Sequence, residues 1–260
     1  MSMTPIVDLN SVSMNYHTLS EETKAIDNLS LSVYPGEFIS IVGPSGCGKS
    51  TLLSLIAGLL TPTSGKITLQ NNPDTKQSCT VGYMLQKDHL FEWRNILNNV
   101  YLGLEIQGKL TPENKKYAHD LLDKYGLGDF KSYFPSQLSG GMRQRVALIR
   151  TLAVNPEILL LDEPFSALDY QTRLNVADEI GRIIKNEGKT AILVTHDISE
   201  AISMSDRVII LTQRPATVKM ALPLTFSIAN RTPLTSREAP EFRHYFQVIW
   251  KELNDNERKV

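Results

Sequence analysis

Apolar and polar residues alternate along 5–16 (PIVDLNSVSMNY) and 28–33 (NLSLSV), the two-residue period of strands with one buried face. The pattern then thickens. Residues 37–43 (EFISIVG) form a dense apolar run ending in glycine, and 49–60 (KSTLLSLIAGLL) have helical spacing. Two further strands are predicted at 65–69 (GKITL) and 80–86 (TVGYMLQ). From about Leu90 to Ala153 the spacing is helical, with no convincing strand. Apolar runs return at 158–164 (ILLLDEP), 190–196 (TAILVTH) and 207–211 (RVIIL), separated by helical stretches at 169–185 and 197–205. Continuous apolar strands alternating with helices predict a parallel sheet covered on both faces.

The predicted fold class is α/β, with a mixed, mainly parallel sheet. The alternating N-terminal strands would form an antiparallel β subdomain, and an α-helical lobe over about 87–155 would be inserted between Gln86 and Ile158. One domain is expected over 1–213, followed by a C-terminal extension over 214–260 that ends in an amphipathic helix. Phe242, Tyr245, Phe246, Ile249, Trp250 and Leu253 fall on one face of that helix. Docking on the chain's own core is the plainer reading of the stripe.

Composition narrows the classes of function. At 260 residues with 42% hydrophobic and 21% charged residues, the chain is expected to be a soluble globular protein. A formal charge of −1 does not favour nucleic acid as a partner. Two cysteines, Cys47 and Cys79, point away from a disulfide framework and toward a reducing compartment. The opening MSMTPIVDLN lacks the pattern of a signal peptide, and the longest uncharged span tested, Ser50 to Gly65, is too short to cross a bilayer. Any membrane role is expected to run through a partner.

The chemistry sits between the strands. Residues 43–51 (GPSGCGKST) satisfy G-x-x-x-x-G-K-[ST] with Gly43, Gly48, Lys49 and Ser50, between a predicted strand and a predicted helix. Around Pro44, Ser45, Gly46, Cys47 and Thr51, successive backbone N–H groups can curl round the phosphates of a nucleotide. Lys49 brings a point charge to the terminal phosphates, and the Ser50 hydroxyl can ligate Mg²⁺. Asp162 and Glu163 stand where a buried strand runs out, the edge at which α/β sheets bind ligands. Asp162 is the candidate Mg²⁺ partner, and Glu163 the candidate base for an attacking water. Both can act only if the chain is already turning at Glu163, since neighbouring strand residues point to opposite faces.

Other candidates are weaker when taken singly. His196 closes a strand expected on the same edge, where an imidazole could donate to a γ-phosphate. The Gln86 amide can coordinate Mg²⁺ or water, and Tyr16 can stack on an adenine. Ser139, Gly140 and Gly141 head a predicted amphipathic helix, a second place where exposed N–H groups and the helix dipole favour an anion.

Taken together these residues resemble the ATP-binding subunit of an ABC transporter, from about Ile6 to Leu211. LSGGMRQR (138–145) before ILLLDEP, with SALD (166–169) after it, resembles the family's signature motif and D-loop. Gln86 matches the Q-loop glutamine, His196 the switch histidine and Tyr16 the A-loop aromatic. The resemblance implies the P-loop NTPase core of an ABC ATPase that binds ATP and Mg²⁺ and hydrolyses ATP. It implies that Ser139, Gly140 and Gly141 serve the nucleotide of a second copy, so that a head-to-tail dimer sandwiches two ATP molecules, and it adds Asp169 of the D-loop to the nucleotide-binding residues. It further implies integral membrane permease subunits, an external substrate-binding protein and a peripheral place on the cytoplasmic face of the membrane.

Finer likenesses in 85–108 and 138–173 resemble bacterial nitrate/sulfonate/taurine-type importers, a group that includes uptake of pyrimidine thiamine precursors. Phe91 and Trp93 then have two readings, a groove for a permease helix or packing within the lobe. Two alternatives stand beside the importer: a non-transport ABC ATPase of DNA repair or translation, and a regulatory module that holds ATP without hydrolysing it.

Overall fold

The uninterrupted apolar runs form the centre of a parallel sheet in the computed structural model, which describes residues 4–17, 22–70 and 79–254. The strands are β1 (Val7–His17), β2 (Glu22–Val33), β3 (Phe38–Val42), β4 (Ser64–Leu69), β5 (Val81–Met84), β6 (Ile158–Asp162), β7 (Thr190–Val194), β8 (Arg207–Leu211) and β9 (Val218–Pro223). The helices are α1 (Lys49–Ile56), α2 (Ile96–Ile106), α3 (Pro112–Lys124), α4 (Gly140–Ala153), α5 (Tyr170–Asn186), α6 (Ile198–Met204), α7 (Pro233–Glu238) and α8 (Pro240–Asn254).

A 6-stranded sheet runs β5-β6-β7-β3-β8-β9, parallel except for antiparallel β9. A 3-stranded antiparallel sheet, β2-β1-β4, packs beside it. The period of two carries the burial through the main sheet. Leu159 and Leu161 of β6 join one apolar cluster with α2, α3, α4 and α5, whereas Ile158 and Leu160 join the other, with α1 and the antiparallel sheet. Ala191 and Leu193 of β7 divide from Ile192 and Val194 in the same way. Both faces are therefore covered, as a parallel sheet requires.

Helix boundaries follow local chemistry. The Asn95, Thr111, Ser139 and Asp169 side chains each accept a backbone N–H of the first turn of α2, α3, α4 and α5. The helix expected over 49–60 stops at Ile56, because Gly58 takes a left-handed φ of 70° that ends it. The stretch after Gln86 stays irregular until α2, so regular helix in the lobe begins only at Ile96. The tail stripe docks on the chain's own core: Ile249 is buried, and Phe242, Tyr245, Phe246 and Leu253 pack with it against α6 and β8, while Trp250 stays exposed.

Candidate active site

Strand order assembles the site. β5, β6, β7 and β3 are adjacent and parallel, so the segments leaving their carboxyl ends meet along one edge. These segments carry Gln86, Asp162 with Glu163, His196, and the glycine loop. A cavity of about 550 Å³ opens there, lined by Ser45, Gly46, Gly48, Lys49, Ser50, Thr51, Glu163 and His196.

The loop is shaped for close approach by a ligand. Gly48 has φ 121°, and a Cβ there would lie 3.1 Å from the Ala25 carbonyl oxygen. Lys49 Nζ donates to the carbonyls of Gly43 and Pro44, both at 2.9 Å, holding the cation across the loop. Cys47 turns inward and is buried; burial pushes its thiol above the ordinary range despite the nearby Lys49.

Beneath the loop, Ser50 Oγ donates to Asp162 Oδ1 at 3.1 Å and the Tyr83 hydroxyl donates to Asp162 Oδ2 at 3.3 Å. Burial pushes the Asp162 acid upward, against the lowering effect of these two bonds. Burial and the neighbouring Asp162 push the Tyr83 phenol up to about 12, so it stays a donor. Among the described residues, no group of three or more His, Cys, Asp or Glu gathers to cage a metal. One carboxylate facing one hydroxyl beside a phosphate-shaped loop suits Mg²⁺, which is commonly held by one or two carboxylates together with substrate phosphates.

Glu163 has left the strand. Its φ is 46°, a left-handed conformation that costs a non-glycine residue on the order of 1–2 kcal/mol. Its N–H is tied to the Val194 carbonyl at 2.9 Å, and the turn swings its carboxylate to the same edge as Asp162. Glu163 Oε2 lies 3.1 Å from His196 Nδ1 and 3.5 Å from Gln86 Nε2. Gln86, two residues beyond β5, also donates to Ser166 Oγ at 3.2 Å, and Ser166 Oγ donates to the Glu163 carbonyl at 3.0 Å. A carboxylate flanked by an imidazole and an amide can orient a water and accept its proton.

Residues 26–166 match a family model described as ABC transporter. The chain belongs to the ABC transporter family. It is 46% identical over 251 residues, 96% of either chain, to the uncharacterized ABC transporter ATP-binding protein YtlC of Bacillus subtilis (strain 168). It is 43% identical over 202 residues, 78% of this chain and 79% of the other, to the taurine import ATP-binding protein TauB of Yersinia pestis bv. Antiqua. Among solved structures, the dimeric post-hydrolysis state of the ATP-binding cassette MJ0796 bound to ADP and Pi aligns with TM-score 0.69 at 33% identity, covering 84% of this chain and 99% of that one. CbiO1 of Clostridium perfringens, part of the transporter complex cbiONQ, aligns with TM-score 0.72 at 27% identity, covering 84% and 88%. The chain is thus an ABC ATPase, and its fold is that of an ABC cassette.

Of the expected site residues in this ABC ATPase, Gly43, Pro44, Cys47, Gln86 and Asp162 adjoin the cavity without lining it, Tyr16 reaches it through Thr51, and the 139–141 and 169 residues lie elsewhere. The Tyr16 hydroxyl lies 3.2 Å from Thr51 Oγ1, which holds the ring beside the start of α1. Ser139 caps α4 through Met142 N, and Asp169 caps α5 through Thr172 N; hydrogen bonding from Thr172 holds the Asp169 acid below the ordinary range. Neither they nor Gly140 and Gly141 line the cavity over the chain's own phosphate loop. Gly141 is a packing requirement, because a Cβ there would lie 2.8 Å from Val176 Cγ2. The sequence pattern does not point to Tyr83 or to the bridging role of Ser166. Tyr83 looks like one residue of a strand, and only the pairing of β5 with β6 sets it against Asp162.

Proposed function

We propose that this ABC ATPase powers a bacterial importer, with two copies arranged head-to-tail around two ATP molecules. In this reading Lys49 and the loop from Gly43 to Thr51 hold the phosphates, Ser50, Gln86 and Asp162 hold Mg²⁺, and Tyr16 stacks on the adenine. Bound Mg²⁺ would neutralise charge on the terminal phosphates. Glu163 acts as base toward the attacking water, and His196 beside it would donate a hydrogen bond to the γ-phosphate. Ser139, Gly140, Gly141 and Asp169 serve the nucleotide of the second copy.

One observation supports the sandwich: the head of α4, capped by Ser139, is set against Leu168 and α5 and not among the residues that line the cavity over its own chain's loop. The MJ0796 cassette, dimeric in its post-hydrolysis state with ADP and Pi, supports the same reading. ATP then bridges the subunits, and loss of the γ-phosphate removes the bridge, which is the differential affinity a ligand-driven switch needs.

Residues 1–213 are read as the ATP-binding domain, with the lobe over about 87–155, and 214–260 as its extension; β9, inside the extension, anchors it to the main sheet. No helix among the described residues is long and apolar enough to cross a membrane. In this reading, energy is passed to integral permease subunits, with the chain held peripherally at the cytoplasmic face. Trp93, 75% exposed and stacked on Phe91 at 4.7 Å, is the feature of the lobe best suited to receive them. An external substrate-binding protein completes the system. The cargo is a small anion or organic solute of the nitrate, sulfonate or taurine type, a choice supported by likeness to TauB; a pyrimidine thiamine precursor is the alternative.

The test of the sandwich is Ser139→Arg. ATP binding to the single chain is expected to persist while hydrolysis is abolished; equal loss of both would assign the loop to its own chain's site or to the fold. Recovery of the external binding protein with its small molecule identifies the cargo.

A further inference from the structure

Arg173, one turn into α5, joins two loops of the site that are otherwise separate in sequence. Its Nη2 donates to the Leu168 carbonyl at 3.0 Å, within the Ser166–Asp169 loop. On the other side, Nη1 lies 3.6 Å from Asp197 Oδ2 and Nε lies 3.8 Å from Glu200 Oε1. Those carboxylates shape the turn that carries His196. Asp197 caps α6 by accepting the N–H groups of Ser199 and Glu200 at 2.7 and 3.2 Å. Glu200, 3% exposed, accepts the Thr195 hydroxyl at 2.6 Å, and Thr195 Oγ1 accepts the Asp197 N–H at 3.0 Å.

We propose that Arg173 is a positioning residue for hydrolysis, tying the loop that carries Asp169 to the turn that carries His196. The inference rests on the reading of His196 with Glu163 as the hydrolytic pair and of Asp169 as a contact to the second copy. A buried carboxylate needs a paired charge, and the guanidinium is the cation set against both Asp197 and Glu200. Its Nε is shielded from solvent and has no hydrogen-bond partner. One bond to the Leu168 carbonyl is made, and two ion pairs stop just outside hydrogen-bond distance. A small movement of the 166–169 loop toward α6 converts them to charge-assisted hydrogen bonds, which are shorter and roughly twice as strong as neutral ones. Docking of a second copy on that loop thereby sets the Thr195–His196–Asp197 turn, and with it the imidazole beside Glu163.

The experiment compares kcat and KM for ATP in the full-length protein at concentrations that support its turnover. Arg173→Ala is expected to lower kcat about 10- to 100-fold while KM stays within about twofold, the signature of lost positioning. Arg173→Lys restores part of the loss, because an ammonium keeps a positive charge near both carboxylates although the planar fork is lost. Adding Asp197→Asn to Arg173→Ala gives no further loss, because the two act through one contact. If Ala does not fold, Arg173→Gln keeps a donor for the Leu168 carbonyl without the charge and carries the same kcat expectation. A rise in KM matching the fall in kcat, no recovery with Lys, or losses that multiply in the double variant would overturn the proposal. Wild-type kcat in His196→Ala would instead sink the reading of His196. An inactive His196→Ala beside a wild-type Arg173→Ala would sink the proposal alone.

Discussion

His196 Nδ1 lies 3.1 Å from Glu163 Oε2, although the two residues end different strands and are separated by all of α5 and β7. The pairing of β6 with β7 makes them neighbours, and the left-handed turn at Glu163 aims the carboxylate. Glu163→Gln keeps the shape and the amide-to-imidazole contact but removes the carboxylate proposed as the base. Turnover is expected to fall about 10²- to 10⁴-fold, as for loss of a general base. The ATP-bound form should then persist as a dimer by size-exclusion chromatography. A monomer at saturating ATP and high protein concentration would count against the sandwich.

Trp93 offers an exposed ring on the helical lobe, stacked on Phe91. Trp93→Ala is expected to leave the melting temperature and the basal ATPase rate of the free chain nearly unchanged. It should weaken co-purification with the membrane subunits, since exposed aromatic anchors dominate interface energies. A large drop in melting temperature would return Trp93 to the packing of the lobe.

Glu187, just past α5, accepts bonds from Lys124 at 2.7 Å, Tyr117 at 3.3 Å and Tyr125, all at or near α3. Burial pushes its acid upward, but these partners together outweigh burial and hold it below the ordinary glutamate range. A folded pKa below the unfolded one stabilises the native state fully above the unfolded value, about 4.3, and the gain is lost as pH falls through the folded value. Stability should therefore drop on acidification below about pH 5. Glu187→Gln is expected to be about 1–2 kcal/mol less stable at pH 7, with a shallower acid limb in denaturant titrations. An unchanged acid limb would show that the cluster contributes nothing to the link between lobe and core.

Arg231 ties the C-terminal extension to α6. Its Nη2 donates to the carbonyls of Ile202 at 2.8 Å and Ser205 at 2.6 Å, its Nε donates to Ser236 Oγ at 3.0 Å, and its guanidinium stacks on Phe226 at 4.3 Å. A cation there satisfies carbonyls that a helix end leaves open and complements its dipole. Arg231→Ala should cost about 3 kcal/mol and lower Tm by roughly 6–12 °C, because buried acceptors lose their donor. Calorimetry checks it; a Tm within about two degrees of wild type would mean that water replaces the guanidinium (a cost under about 1 kcal/mol).

Much of the site is legible along the chain because its signals are local. The pattern G-x-x-x-x-G-K-[ST] between an apolar strand and a helix points to a phosphate cradle, and the acids closing 158–163 stand at a strand end by the run of apolar residues before them. Other features carry no such signal. β9 (VKMALP) has a lysine and a proline, and it becomes a strand only because β8 presents a free edge to it. Arg173 reads as a charged residue on an exposed helix until α5 is laid beside α6.

Local periodicity predicts most of the strands and helices, because burial on one face repeats every two or 3.6 residues regardless of what lies opposite. The order β5-β6-β7-β3, the turn that frees Glu163, and the seating of the head of α4 against Leu168 and Val176 are settled by long-range pairing. These depend on which apolar face finds which partner across the whole chain, and no window of neighbouring residues contains that information.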